Sequence, residues 1–365
     1  MFLIRQTTVD DASTLLKLAK MVHFINLPAD PDIIRTKIVR SRKSFAGKAD
    51  SDREREFMFV IQDTETGNVI GTSSIVSVVS WPGHPHTYFQ VRKREHYSDD
   101  LQTGQVHTTL EFGTDETGPS EIGGLILGPS YRGHKDKLGM QLSLVRFHFI
   151  GLNRRWFADR ILAEMMGPLT PDSRNLLWEY LGRRFINLSF TEADRFCQHS
   201  KEFITSLFPR GEIYLSLLPP EARNLVGRVG TETEPAKRLL ERIGFAYEGR
   251  IDPFDAGPYL EANVADIALV KTTKSVTLKG TGTNFSSVGF VSTHGAAGFR
   301  AMRCPIAESD DGVSIPPEVA DVLEVKPGES IGVTPLPIPI PSGSDSANKS
   351  ADERAASSTS PEAVR

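Results

Sequence analysis

One segment, residues 125–143 with the sequence LILGPSYRGHKDKLGMQLS, constrains the fold of this chain more than any other. Its apolar start predicts a strand, and Gly128-Pro129 predicts a sharp turn into a basic, glycine-containing loop. A helix from about Lys137 to Asn153 follows, with its buried stripe at Leu138, Leu142, Val145 and Phe149. Such a unit presents free backbone N–H groups and the positive end of a helix dipole to an anion. The same pattern also fits an ordinary solvent-exposed connection.

The residues of this loop suit a phosphate group. Arg132 adds positive charge, and Gly133 and Gly139 allow the backbone to approach an anion closely. The strand Leu125–Leu127, just before the loop, has an edge with which an extended ligand can pair. Acyl-CoA transferases of the GNAT type hold coenzyme A in this way, with the pyrophosphate on the loop and the pantetheine arm along the strand.

Composition excludes several other classes of protein. The 365 residues are 39% hydrophobic, which is enough for a large core and for one to three domains. The net charge of −4 gives no electrostatic footprint for nucleic acid or an anionic membrane. The apolar runs are too short for a transmembrane helix or a signal peptide. Only Cys197 and Cys304 occur, with no metal-ligand spacing of Cys and His, so we expect a cytoplasmic protein with reduced thiols and no metal.

Strand and helix patterns divide the chain into three parts. Residues 1–270 combine a largely antiparallel set of strands with helices, which dominate from about residue 170 to 245. The predicted strands before the basic loop include Phe57–Gln62, Val69–Val79, Thr87–Val91, Val106–Phe112 and Ile122–Leu127. Valine, threonine, serine and glycine dominate residues 271–336, which predicts a small β-rich unit. Residues 337–365 have almost no aromatic content and are expected to be disordered.

Several segments resemble the arginine N-succinyltransferase family, in the family's order, over residues 1 to about 335. These segments are Leu27–Asp30, Phe59–Gly67, Thr114–Glu121, Ala163–Met165, Leu181–Phe185, Pro235–Ala236, Gly244–Phe245 and Phe254–Pro258. Residues 114–121 are similar to the family's segment N-D-H-T-G-x-S-E. The resemblance implies an α/β (α+β) fold of the GNAT type. Its parts would be a mixed, mostly antiparallel sheet, flanking helices and a small C-terminal unit like a β-barrel.

The resemblance also implies a coenzyme site on the opening segment. Its predicted CoA-binding residues are Leu125, Ile126, Leu127, Arg132, Gly133, His134, Gly139 and Met140. A strand N–H near Leu125 would hold the tetrahedral oxyanion. The loop departs from the family's R-x-x-G-x-G pattern, because it is two residues longer and has Lys137 at the first glycine of the pair.

A second departure concerns the proton donor. The family places a proton-donating histidine where this chain has Gly230, and glycine cannot transfer a proton. General acid–base catalysis is worth about 10²- to 10⁴-fold, so its loss slows acyl transfer without preventing it. The candidate catalytic residues are therefore the carboxylates Glu232 and Glu121. Glu232 also suits a purely structural position at a helix N-terminus.

A cationic acceptor such as arginine needs acidic partners. The candidate substrate-binding residues are Asp115 and Glu121, since a carboxylate pairs with a guanidinium through two hydrogen bonds. Both residues also suit structural positions, in a turn and at a strand end. The family's arginine in A-E-M-R-G is replaced by Met166, which leaves Arg183 and Arg184 as candidates for the succinyl carboxylate and, equally, as surface charges.

The sequence therefore predicts an arginine N-succinyltransferase of arginine catabolism, which transfers succinyl from succinyl-CoA to the α-amine of L-arginine. One alternative is an acyltransferase that uses ornithine, another amine or another acyl-CoA. A second alternative is a non-catalytic CoA-binding homologue or regulatory subunit. No cofactor is expected beyond succinyl-CoA as co-substrate, and neither nucleic acid nor membrane is an expected partner. Homo- and hetero-oligomers both remain open.

Overall fold

The computed structural model describes residues 1–21, 27–197 and 200–336. The strands are β1 Phe2–Gln6, β2 Glu56–Asp63, β3 Val69–Val76, β4 His86–Ser98, β5 Thr103–Asp115, β6 Ser120–Leu127, β7 Arg160–Glu164, β8 Ile213–Tyr214, β9 Ala246–Ile251, β10 Pro258–Asn263, β11 Lys274–Thr281, β12 Ser287–Gly295, β13 Gly298–Ser309, β14 Gly312–Ile315 and β15 Ser330–Leu336. The α-helices are α1 Ala12–Ala19, α2 Pro31–Phe45, α3 Leu138–Leu152, α4 Arg183–Phe185, α5 Phe190–Cys197, α6 Glu202–Leu207, α7 Pro220–Arg223, α8 Glu234–Arg242, α9 Ala268–Thr272 and α10 Pro317–Leu323.

These strands form one hydrogen-bonded sheet. Their order is β12-β15-β11-β14-β13-β1-β2-β3-β6-β7-β10-β9-β4-β5-β8. Among the described strands, only the neighbours β6–β7 and β11–β14 run parallel, and the other pairs are antiparallel. The predicted mixed, mostly antiparallel sheet with flanking helices is therefore confirmed.

Helix α3 forms the centre of the main core. Its predicted stripe of Leu138, Leu142, Val145 and Phe149 is almost completely buried. The stripe packs with apolar side chains of β2, β3, β6 and β7 in one cluster. The Ser73 hydroxyl of β3 donates a hydrogen bond of 3.0 Å to the carbonyl of Leu142. Burial of this stripe fixes where the helix begins relative to the strand that precedes it.

The C-terminal strands β11–β15 close into a small barrel, because β12 pairs with both β13 and β15. The predicted barrel-like unit is thus confirmed. Strand β13 also pairs with β1, through Ile4 opposite Ala301, so that the barrel continues the main sheet. The boundary at residue 270 stays a prediction, and the predicted disordered segment 337–365 lies outside the described residues.

The hairpin β4–β5 is longer than the sequence predicted. Strands were expected at Thr87–Val91 and Val106–Phe112, whereas β4 and β5 pair continuously from His86 opposite Asp115 to Ser98 opposite Thr103. The outer half of the hairpin is mostly exposed on both faces. It therefore lacks the alternation of buried and polar residues on which strand prediction depends.

His148 connects α3 to the barrel. Its ring is fully buried, and its two nitrogens lie 2.6 Å from Thr334 Oγ1 of β15 and 2.7 Å from Ser292 Oγ of β12. Burial lowers the pKa of this imidazole to about 3. His148 is therefore neutral in the folded state at any pH near 7.

We expect His148 to make the protein less stable as the solution becomes acidic. An unfolded histidine takes up a proton near pH 6.5, while the folded one does so near pH 3, so the stability that His148 contributes is complete above about pH 6.5 and is lost as the pH falls. The loss approaches about 1.4 kcal/mol for each pH unit. Urea denaturation between pH 7 and 5 should show a shallower pH dependence for His148→Gln than for the wild type. The exposed His96→Gln variant should keep the wild-type slope, and equal slopes for all three proteins would contradict the assignment.

Candidate active site

Strands β6 and β7 separate soon after they begin. They are paired only at Ser120 opposite Ile161 and at Glu121 opposite Leu162. Beyond Glu121, β6 continues to Leu127 and pairs with β3 alone among the described strands. One edge of residues 122–127 therefore faces a gap, which we call the β6–β7 opening. An extended ligand can pair with a free strand edge of this kind.

A bulge in β6 lies beside the opening. Ser74 pairs with Gly123 and Thr72 with Ile126, so that Gly124 and Leu125 together oppose Ser73. Gly124 has a φ of +58°, and a Cβ there would come within 2.9 Å of Ser74 Oγ. Only glycine fits this conformation and this contact without strain. The bulge leaves peptide groups near Leu125 outside the regular ladder, where they can donate to a ligand.

The loop after β6 carries the predicted anion site. Gly133 has a φ of +74° with no atom near its Cβ position, and Gly139 in the first turn of α3 meets only Leu127, at 3.9 Å. The N–H groups of Leu138, Gly139 and Met140 lie in this first turn, where an α-helix supplies no acceptor. The structure therefore brings the predicted glycines and Met140 to one helix N-terminus.

Two other predicted loop residues already have partners. Arg132 lies 3.0 Å from the Glu232 carboxylate and donates a long bond of 3.4 Å to the Leu127 carbonyl. The His134 ring packs edge-on against Phe2 at 5.2 Å, and its Nδ1 accepts a bond of 3.2 Å from the Asp136 N–H. Arg132 thus lies at the loop mouth, while only the other nitrogen of His134 is free of these contacts.

Carboxylates converge on the face of the sheet opposite α3. Glu121 is paired with Leu162, and Glu164 follows two residues later, so strand alternation places both carboxylates on the same face. Glu121 is 7% exposed. The buried His86 ring of β4 lies 2.5 Å from Glu164. Burial alone would raise the pKa of Glu164, but His86 and Lys201 outweigh it and hold that pKa at about 2. Glu164 is therefore an anion at neutral pH.

The turn between β9 and β10 closes this face. Asp255 accepts hydrogen bonds from the N–H groups of Gly167 and Gly257, at 2.9 and 2.7 Å. The Tyr259 hydroxyl donates to Asp252 at 3.0 Å. Burial and the neighbouring Asp252 raise the pKa of Asp255 well above its usual range. This group of carboxylates therefore gains stability when a cation arrives.

Asp115 does not join this group, contrary to the sequence prediction. Its carboxylate pairs with Arg160 and lies 3.4 Å from Arg250, and its other oxygen accepts from Thr117. Burial alone would raise the pKa of Asp115, but Thr117 and Arg160 lower it to about 2. Because two arginines of the chain already neutralise it, Asp115 has a structural role and is a poor partner for a substrate guanidinium.

Gly230 lies at the end of β7, where its N–H donates a bond of 3.1 Å to the Met166 carbonyl. A Cβ on Gly230 would meet its nearest atom, the Gly167 carbonyl oxygen, at 3.7 Å. The position therefore has room for a side chain. Glu232, two residues later, is 70% exposed and points to Arg132 of the coenzyme loop. It does not lie among the buried carboxylates.

Sequence reasoning missed the Glu164–His86 pair and the braces at Asp252 and Asp255. The sequence suggests only a loop or core position for His86, because nothing near it indicates a partner 78 residues away. One signal was present in Ala163–Met165, where a carboxylate interrupts an otherwise apolar buried strand. Buried carboxylates of this kind are rarely without a partner.

The described residues, with gaps at 22–26, 198–199 and 337–365, contain no group of His, Cys, Asp or Glu that could hold a metal ion. None of their helices is both long enough and apolar enough to cross a bilayer. Cys197 and Cys304 are buried free thiols, and burial raises the pKa of each to about 12. Neither thiol is therefore a ready nucleophile.

Comparison with known families gives two matches that together span most of the chain. The model of the arginine N-succinyltransferase beta subunit matches residues 2–269. A separate model, for the C-terminal domain of the same arginine N-succinyltransferase chain, matches residues 274–335.

Individual relatives agree with these matches. An arginine N-succinyltransferase from Yersinia pestis is 33% identical over 347 residues, which cover 92% of this chain and 98% of the relative. The enzyme of the same name from Shigella boydii is 34% identical over 279 residues, covering 76% and 80%. The solved structure of arginine/ornithine succinyltransferase subunit AI from Pseudomonas aeruginosa superposes with a TM-score of 0.80 at 25% identity, covering 93% of this chain and 99% of that one.

Proposed function

The chain belongs to the arginine N-succinyltransferase family, and we propose that it transfers succinyl from succinyl-CoA to arginine in the β6–β7 opening. One observation carries the assignment to this place. A free strand edge leads into a basic helix N-terminus on one side, and buried carboxylates lie beside the same edge. The first feature suits an anionic, extended coenzyme, and the second suits a cationic acceptor.

In this proposal the coenzyme follows β6. The pantetheine arm pairs with the backbone of Leu125, Ile126 and Leu127. The pyrophosphate lies against Arg132, Gly133 and the first turn of α3 at Gly139 and Met140, with His134 at the loop's edge. The thioester carbonyl reaches the bulge, where a peptide N–H near Leu125 stabilises the oxyanion. Glu232 holds Arg132 at the loop mouth, so we assign it a positioning role rather than a catalytic one.

The acceptor approaches from the carboxylate face. We propose that Glu121 and Glu164 bind the guanidinium and that Glu121, next to the last paired residues of β6 and β7, directs the α-amine to the thioester. The deprotonated amine attacks the carbonyl carbon, the C–S bond breaks, the amine loses its second proton, and free CoA thiol leaves. Because Gly230 supplies no proton donor, positioning provides most of the rate acceleration.

The acceptor and the assembly have alternatives. The Pseudomonas aeruginosa relative is called an arginine/ornithine succinyltransferase subunit, which keeps ornithine and a homo- or hetero-oligomer in consideration. The glycine at position 230 also favours a non-catalytic CoA-binding homologue as a second candidate. We further propose a cytoplasmic location, because both buried cysteines are unpaired.

Release of free thiol from succinyl-CoA distinguishes these possibilities. We expect release to depend on added arginine and to be slower with ornithine or with acetyl-CoA. Faster release with ornithine would replace the proposed acceptor. Tight binding of succinyl-CoA without release in the presence of any amine would favour the non-catalytic homologue. Sedimentation of the purified chain, alone and with candidate partner proteins, gives the oligomeric state.

A further inference from the structure

Arg146 is a buried cation on α3 whose partners in the described part of the chain are all uncharged. It is 2% exposed. Its Nε donates to the Ser143 carbonyl at 2.9 Å, one Nη to Ser143 Oγ at 2.7 Å and the other to the Gly123 carbonyl at 3.4 Å. Other buried charges have partners of opposite sign, including Asp11 with Arg5, Glu56 with Lys37 and Asp115 with Arg160.

A buried cation without a counter-ion destabilises a protein. Burial lowers the pKa of Arg146 to about 9, so the side chain is still protonated at neutral pH. Neutral hydrogen-bond partners compensate only part of the lost hydration of an ion. The three bonds also leave part of the guanidinium's donor capacity unused. These features together suit the arrival of an anionic ligand group.

The position of Arg146 indicates which group that is. Gly123, which accepts the long bond, lies directly before the β6 bulge at Gly124 and two residues after the last pairing of β6 with β7. The guanidinium therefore lies on the α3 side of the opening, close to where the thioester carbonyl is proposed to bind. Glu121 and Glu164 lie on the other face. The opening thus has a cation on one face and carboxylates on the other.

We propose that Arg146 binds the distal carboxylate of the succinyl group and so determines the preference for this acyl chain. This inference rests on the proposed function and names the group that recognises its acyl donor. An arginine pairs with a carboxylate through two parallel hydrogen bonds, and an acyl chain without the carboxylate gains nothing from it. Arg183 and Arg184, the arginines suggested by the sequence, are exposed, and Arg183 pairs with Glu179.

Succinyl-CoA and butyryl-CoA provide the test, because their acyl chains have equal length and only the first carries a carboxylate. In Arg146→Met, we expect the ratio of kcat/KM for succinyl-CoA to that for butyryl-CoA, with arginine as acceptor, to fall by about 10- to 100-fold. Butyryl transfer should change by less than about threefold on the same grounds. Arg146→Lys, which keeps the charge, should retain part of the preference.

Arg132→Met is the matched control, since Arg132 lies on the coenzyme loop and should affect both thioesters equally. An equal fall for both thioesters in Arg146→Met would show that Arg146 merely ties α3 to β6 and would overturn the inference. If the Met variant does not fold, as judged by its circular dichroism, the Lys and Gln variants give the same ratio. Binding of the two thioesters without acceptor, measured by calorimetry, is independent of turnover. A wild-type chain that binds both equally refutes the role of Arg146, whereas the absence of turnover with normal preference for succinyl-CoA refutes only the proposed function.

Discussion

Replacing Gly230 with histidine is expected to raise kcat for succinyl transfer to arginine by about 10²- to 10⁴-fold, the usual contribution of a general acid or base. The position is at the end of β7, next to Met166 and beside the opening. Its backbone is outside the left-handed region, and its nearest neighbour would lie 3.7 Å from a Cβ, so a side chain fits without strain. An imidazole there can exchange a proton with the reacting groups at neutral pH.

The control variants are Gly230→Ala and Gly230→Gln, which fill the same space without a titrating group. Neither should accelerate the reaction. The histidine variant should also gain a limb in its pH–rate profile near pH 6.5, the ordinary pKa of histidine. Equal rates for the histidine and glutamine variants would mean that the proton leaves by another route, and the site at Gly230 would then have no catalytic function.

The fold was predictable where local pattern decides it. The strand, the glycine turn and the buried stripe of α3 lie within residues 125–149, and the structure reproduces each of them. The charged half of the β4–β5 hairpin was missed, because its residues are exposed on both faces and show no alternation. The closing of the barrel was inferred from resemblance, since no local signal tells β12 to pair with β15.

The candidate site was predictable only in part, because charge partners meet through tertiary structure. Asp115 was assigned to the substrate from its local segment, but its partners Arg160 and Arg250 are 45 and 135 residues away. Arg146 drew no attention, since it lies among apolar residues of a helix whose buried stripe explained the pattern. Glu121 differs, because its place next to Leu162 follows from β6 and β7 being parallel, which sequence alone did not establish.

Changing Glu121 to glutamine is expected to lower kcat/KM for arginine by about 100-fold or more, because it removes one partner of a buried charge pair. Citrulline separates this loss from general damage, since it has the shape of arginine but a neutral ureido group. The wild type should prefer arginine to citrulline, and the variant should lose most of that preference while its rate with citrulline changes little. A lower kcat with an unchanged preference would instead make Glu121 a group that handles the amine proton.

Asp115→Asn is the matched control, because Asp115 is another buried carboxylate of the same sheet and is 8% exposed, against 7% for Glu121. Its carboxylate already neutralises Arg160 and Arg250, so its loss leaves two arginines facing each other across Glu261. We therefore expect Asp115→Asn to unfold at lower urea concentration and to keep the arginine-over-citrulline preference. The opposite result, with the preference lost in Asp115→Asn and kept in Glu121→Gln, would move the acceptor from the β6–β7 opening to the far end of β7, where no coenzyme loop is within reach.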